Sequence, residues 1–168
     1  VTGNLGDSYL GLKALSNKAK FKNKDKLFFV DKYYKPELPL NLTKYLLKFA
    51  NSSIDVSDGL IDDLSKMINT QNLSFHLFEK KIPISNKLSN LIKSQRLNKI
   101  NLVSNGDDYQ ILFTANVNKT RIIQNASKTT GIKITKIGKI VSGKDRSFIF
   151  DEKGKQIQAK SKGYIHQF

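Results

Sequence analysis

Between Ser53 and Leu64 the chain reads as strand, turn and helix in immediate succession: Ser53-Ile54-Asp55-Val56-Ser57-Asp58-Gly59-Leu60-Ile61-Asp62-Asp63-Leu64. Ser53 to Val56 is a short strand, Asp58-Gly59 turns it, and a helix follows to near Asn69 with Leu60, Leu64, Met67 and Ile68 on its apolar face. Such an arrangement aims polar groups at a ligand. It also crowds four carboxylates, Asp55, Asp58, Asp62 and Asp63, into nine residues of a chain whose formal net charge is +15. Like charges held this close repel unless something positive sits among them. Asp62 and Asp63 suit the first helical turn with no ligand, because the helix dipole favours acids there. Asp55, Ser57 and Asp58 instead place oxygen atoms around one turn. A hard divalent cation such as Mg2+ fits that set, and Asp58 equally fits a plain helix cap. An EF-hand is excluded: a loop starting at Asp55 would have glycine fifth and Lys66 twelfth, where a ligand and a glutamate are required.

With 168 residues, 39% of them hydrophobic, the chain can bury one sizeable core, and a single domain over 1–168 is expected. No run approaches the ~18 apolar residues of a membrane span, and no secretion signal opens the sequence, so a cytoplasmic protein with no membrane partner is expected. The absence of cysteine removes disulfides and thiolate metal sites, and His76 and His166 are too few for structural zinc. Any metal is therefore held by oxygen. The 29 basic residues invite a nucleic-acid reading, which stands as the alternative function, a basic binding module. Against it, only Arg96, Arg121 and Arg146 are arginine, the residue suited to bidentate phosphate and base contacts, and the lysines are spread along the chain. Plentiful lysine, asparagine and isoleucine with little alanine is what an A+T-rich coding sequence gives. Val1-Thr2-Gly3 starts at once in strand-like residues without an initiating methionine, so the chain reads as the later part of something longer.

Elsewhere the pattern predicts a helix from Tyr9 to Lys20 capped by Asp7 or Ser8, a solvated connection from Asn17 to Lys26, and a helix over Leu42–Phe49 capped by Asn41. A strand over Leu73–Phe78, a helix over Asn86–Arg96 and a loop follow. Next come a strand over Tyr109–Ala115, a helix over Val117–Thr130, a strand over Ile132–Val141, and a hairpin from Phe148 turning at Glu152–Lys155. This order predicts an α+β fold, a mixed β-sheet covered by helices. His76, alternating within a strand and lacking a serine or cysteine partner, reads as structural. Gly3-Asn4-Leu5-Gly6-Asp7-Ser8 could let backbone amides approach an anion but lacks the lysine and spacing of a P-loop. Asn105-Gly106-Asp107-Asp108-Tyr109 is, on its own, an ordinary acidic turn before a strand.

Taken together, these three segments resemble the carboxy-terminal domain of the thiamine-monophosphate kinase family, in the superfamily of aminoimidazole ribonucleotide synthetase and selenophosphate synthetase. Val1 to Ser8 resembles the family's entry into this domain, and Ile54 to Leu60 its Asp-x-Ser-Asp-Gly-Leu. Asn105 to Phe113 resembles Gly-Gly-Glu-Asp-Tyr-Glu-x-x-Phe, and Ile137-Gly138-Lys139-Ile140 and Lys162-Gly163-Tyr164 match as well. The resemblance implies transfer of the γ-phosphoryl group of ATP to thiamine monophosphate, or the chemistry of a sister ATP-dependent synthetase. By the same resemblance Asp55 and Asp58 hold Mg2+, Ser57 touches the ATP phosphates, Asp107 stands for a substrate-contacting glutamate, and Tyr164 for an aromatic beside the thiamine rings. It implies further that an amino-terminal ATP-binding domain, absent from this chain, is needed for activity, and that the full-length protein is a homodimer. The departures fall on the substrate side: Asp107 is one methylene shorter than glutamate, Asn105 and Gln110 replace a glycine and an acid, and Lys35 to Leu40 blurs an Arg-Pro-x-Pro-Arg.

Overall fold

A computed structural model describes residues 1–16, 21, 23–69 and 71–159. In chain order these form α1 (Asp7–Leu15), α2 (Asn23–Tyr34), a 3-10 turn (Leu40–Leu42), α3 (Thr43–Phe49), β1 (Ala50–Asp55), α4 (Leu60–Ile68) and β2 (Leu73–Phe78). A second 3-10 turn (Glu79–Lys81), α5 (Asn86–Gln95), α6 (Lys99–Val103), β3 (Ile111–Ala115), a third 3-10 turn (Val117–Lys119), α7 (Thr120–Thr130), β4 (Gly138–Ser142), β5 (Phe148–Phe150) and β6 (Gln156–Ile157) complete the order. The fold is α+β as expected. Its strands fall into two sheets: an antiparallel pair β1-β3, and a mixed sheet in the order β4-β2-β5-β6, where β2 and β5 run parallel.

The main core lies between the mixed sheet and α4 with α6. Leu60, Ile61, Leu64 and Ile68 of α4 meet Phe75 and Leu77 of β2, Ile149 of β5, and Ile100 and Val103 of α6. Val56 and Leu5, both fully buried, join that core from the two loops that carry sequence motifs. A second cluster packs α1 on α2 and α5 through Leu10, Phe29 and Leu88. There the α1 backbone comes so close that a Cβ at Gly11 would lie 2.1 Å from the Phe29 carbonyl oxygen.

Several local expectations are corrected. Asp7 and Ser8 do not cap α1 from outside; Gly6 is the cap residue, left-handed at φ 87°, and both polar residues sit buried in the first turn. The helix stays regular to Leu15, and residues 17–20 lie outside the described set. Helix α2 begins inside the segment expected to be a solvated connection. Asn41 lies within a 3-10 turn rather than capping α3, whose first residue, Thr43, donates its hydroxyl to the Leu40 carbonyl at 2.7 Å. Helix α6 forms where a loop was expected, capped by Asn98, which accepts from the Asn101 amide at 3.0 Å. The long strand expected over Ile132–Val141 splits. Its first part pairs with the start of the chain, Thr135 N–H donating to Val1 C=O at 2.8 Å and Gly3 N–H to Lys133 C=O at 2.9 Å. Only Gly138–Ser142 joins the sheet. His76 sits in β2 with its ring 5.6 Å from that of Phe148 and 5.5 Å from that of Phe150, an apolar packing role.

Leu5 joins a motif loop to the core, so Leu5→Ala should lower the unfolding free energy by about 2–5 kcal/mol, read as the shift of a urea transition. An unchanged midpoint would show that the loop does not depend on this contact.

Candidate functional site

The antiparallel pairing of β1 with β3 ends at Asp55 opposite Ile111, yet the backbone ladder continues beyond it. Val56 N–H donates to Gln110 C=O at 2.8 Å, Tyr109 N–H to Val56 C=O at 2.9 Å, and Asp107 N–H to Ser57 C=O at 2.9 Å. The Ile54–Leu60 motif and the Asn105–Phe113 motif are thus joined backbone to backbone. Glycine makes the approach possible: a Cβ on Gly106 would fall 1.6 Å from the Ser57 carbonyl oxygen, and one on Gly59 2.3 Å from that of Ser104. Neither side chain has room to shift against main chain. Asp107 and Tyr109 are left-handed at φ 68° and φ 51°, a conformation that non-glycine residues rarely hold and that the surrounding pairing imposes.

Two buried carboxylates brace this joint. Asp63, 1% exposed, reaches back from α4 so that its Oδ2 accepts from the amides of Ser57 (3.0 Å), Asp58 (2.9 Å) and Gly59 (3.0 Å). Burial pushes the Asp63 carboxyl above its ordinary value, while the Gly59 and Asp58 amides pull the other way. Asp108, 4% exposed, ties the third motif to the first, its Oδ2 accepting from Gly6 N–H at 2.7 Å and its Oδ1 from Ser8 N–H at 3.4 Å. Burial pushes Asp108 up to about 8 against the Gly6 amide, with the neighbouring Asp7 charge adding to the rise. Asp7 itself is pushed up to about 6 by burial, and the Ser85 hydroxyl donating at 2.7 Å opposes that. Gln110, which the resemblance marks as standing for an acid, is buried and structural: it accepts from the Thr2 hydroxyl at 2.7 Å and donates to Glu37 C=O at 2.8 Å.

On this frame the sequence-picked residues take distinct places. Asp55 is exposed at the end of β1, Ser57 and Asp58 are half-buried in the turn, and Asp107 is half-buried on the facing loop. Tyr109, on the same loop as Asp107, is exposed. Its hydroxyl is raised above its ordinary range by burial first, then by the charges of Asp107, Asp55 and Asp58, with Tyr33 contributing. Asp58 also belongs to a tighter group. Asp58, Asp62 and Asp63 can each present an oxygen within 4.8 Å of the others, and Asp55 is outside that set. The Lys66 ammonium lies among the three, bonded to Asp58, 2.7 Å from Asp62 and 3.5 Å from Asp63. A positive charge is thus already accommodated here, and the all-oxygen donor set suits a hard cation. Tyr164 and His166 lie outside the described residues.

Sequence reasoning passed over the bracing roles of Asp63 and Asp108 and the place of Lys66. For Asp63 the signal was present, an acid four residues after a turn glycine; nothing in the sequence distinguished Asp108 from Asp107. An open cleft of about 730 Å3 lies beside Asp108 and Gln110, walled by the start of α1, Pro36 to Pro39 and the start of α5. Asp55, Ser57, Asp58 and Asp107 are not among its walls.

No family model matches the chain. It is 35% identical over 171 residues to thiamine-monophosphate kinase of Buchnera aphidicola subsp. Acyrthosiphon pisum, covering 99% of this chain and 51% of that protein. With the thiamine-monophosphate kinase of Escherichia coli K12 it shares 29% identity over 167 residues, again 99% and 51%. Its fold matches AaThiL complexed with AMPPCP and TMP at a TM-score of 0.74 and 26% identity, over 98% of this chain and 50% of that one. The chain is a relative of the thiamine-monophosphate kinases. It spans about half the length of the curated relatives it matches. The hydrogenase maturation protein HypE of E. coli shares the fold alone, with a TM-score of 0.70 at 13% identity. Among the described residues no helix is long and apolar enough to cross a membrane.

The raised Asp108 carboxyl carries a pH signature. Its folded-state value of about 8 lies above the ordinary 3.8, so the stability held by the neutral form is complete below 3.8 and is lost as pH rises through about 8. Asp7, at about 6, adds a loss at lower pH. Asp108→Asn stays neutral and can still accept from Gly6, so its urea midpoint should fall less than that of the parent between about pH 6 and about pH 9. Equal slopes in the two proteins would contradict the assignment.

Proposed function

We propose that this chain is the carboxy-terminal domain of a thiamine-monophosphate kinase-like enzyme that moves the γ-phosphoryl group of ATP onto thiamine monophosphate, giving thiamine diphosphate and ADP. One observation carries the reading. The three amides of the Ser57–Gly59 turn, which in other turns could cradle a bare phosphate, are all taken by Asp63. What the turn presents to a ligand is oxygen: the Ser57 hydroxyl, the Asp55 carboxylate, and the Asp58 carboxylate, which Lys66 already pairs. Such a surface repels a naked polyphosphate and suits one that arrives with a metal.

In this proposal Asp55 and Asp58 hold Mg2+, Ser57 hydrogen-bonds an ATP phosphate, Asp107 orients the acceptor from the facing loop, and Tyr164 lies beside the thiamine rings, whose cationic thiazolium favours an aromatic face. Bound there, Mg2+ neutralises charge on the polyphosphate. The residues' task is positioning. An acceptor phosphate is already largely ionised at neutral pH, so no side chain is needed as a general base. The backbone joint fixes Asp107 relative to Asp58 and so sets donor and acceptor sides at one spacing. The likeness to AaThiL complexed with AMPPCP and TMP supports the two substrates. The half-length match supports a missing amino-terminal domain that completes the ATP site; we extend this to a cytoplasmic, homodimeric full-length enzyme.

The 168-residue chain alone should form no thiamine diphosphate from thiamine monophosphate and MgATP, whereas fusion to the amino-terminal half of a relative should restore turnover. In the fusion, Asp55→Asn with Asp58→Asn should lower kcat/KM by roughly a hundredfold or more. Product formation by the isolated chain would overturn the need for an amino-terminal domain, and a fully active double variant would overturn the metal role of Asp55 and Asp58.

A further inference from the structure

The acidic turn carries a cation of its own. Lys66 lies one turn along α4 from Asp62 and Asp63, so the helix repeat places its stem over them, while Asp58 approaches from the preceding turn. The ammonium is therefore shared by carboxylates from two different elements. The Lys66 side chain is 48% exposed, on a flexible four-carbon stem, so it can leave without disturbing the core. Asp63 is the least available of its partners, since its other oxygen is committed to three amides. A divalent ion binding at Asp58 thus meets an ammonium already seated on the oxygen it needs.

Resting on the reading of Asp58 as a metal ligand, we propose that Lys66 is a displaceable counter-ion. Its ammonium, shared by Asp58 and Asp62, occupies the Asp58 carboxylate when no nucleotide is bound, and metal entry at Asp58 and Lys66 release are one exchange. Three carboxylates with no cation would repel one another and loosen the turn that holds Ser57. With Lys66 present the turn stays formed in the free protein, at the cost of weaker metal affinity. Once displaced, the ammonium is left beside the metal-bound polyphosphate, where phosphate oxygens replace the carboxylates as its partners. Metal and nucleotide therefore bind more tightly together than separately. A lysine serving only as a surface ion pair on α4 would give stability that is independent of Mg2+.

The test is a titration of the 168-residue chain with Mn2+ as a paramagnetic probe, read by water-proton relaxation. The parent, Lys66→Met, Lys66→Arg and Asp58→Asn chains are compared, together with Asp58→Asn in the Lys66→Met background. Lys66→Met should bind Mn2+ roughly tenfold more tightly than the parent, and Lys66→Arg should stay near the parent because it keeps the charge. Asp58→Asn should weaken binding in both backgrounds. Melting curves of the same samples with and without Mg2+ should show Lys66→Met less stable than the parent, by a gap that narrows as Mg2+ is added. If Lys66→Met binds no more tightly while Asp58→Asn still weakens the parent, the counter-ion role falls and the Asp58 assignment stands. A constant stability gap would also overturn the role. If Asp58→Asn changes neither background, or no saturable binding occurs, both fall.

Discussion

The structure depends on a main-chain joint in which Val56 and Ser57 exchange hydrogen bonds with Asp107, Tyr109 and Gln110. It extends the β1-β3 pair past the ends of its regular strands into two loops that would otherwise have to satisfy their own amides and carbonyls. Gly106 admits the approach, and a side chain there would meet the Ser57 carbonyl. The joint also holds Asp107 and Tyr109 in left-handed backbone, conformations that persist where the surroundings over-determine them and that tend to mark functional loops. From it, Asp63 fixes the start of α4 and Asp108 fixes the start of α1. Three sequence segments far apart in the chain become one rigid rim.

Charge is divided along the same lines. In a chain with 29 basic and 14 acidic residues, the rim collects Asp55, Asp58, Asp62, Asp63, Asp107 and Asp108. These acids do different work. Asp63 and Asp108 are buried and serve the backbone, their desolvation offset in part by the amides they accept from. Asp62 shares Lys66. Asp55, Asp58 and Asp107 keep some exposure, and Asp58 shares Lys66 as well. Local acidity against a basic background is what a metal-borne polyphosphate needs, since the metal binds the acids while the surrounding lysines favour the anion's approach.

Much of this was legible in the sequence, for particular reasons. The strand, turn and helix around Asp55 to Ile68 have clean alternation, an Asp-Gly turn and a helical apolar face; the helix forms within about a residue of expectation, while β1 starts at Ala50, before the expected Ser53. Helix α2 escaped because its apolar residues, from Leu27 to Tyr34, cover more than one face; Leu27 and Tyr34 remain 72% and 65% exposed, so no single buried stripe marks it. Helix α6 has five residues, too few for a period to show. Asp107 and Asp108 are adjacent and chemically equal, and only tertiary partners, the Gly6 and Ser8 amides that Asp108 accepts from, tell the buried one from the half-buried one. The split of residues 132–142 was hidden because pairing with Val1 to Gly3 is a tertiary choice, invisible to a local window.

The most direct measurement is an anomalous difference map from crystals of the chain soaked with Mn2+ and a non-hydrolysable ATP analogue. The account places a peak within coordination distance of both Asp55 and Asp58, with the Lys66 ammonium moved off Asp58. A peak elsewhere on the surface, or none with the Lys66 contact intact, would contradict it.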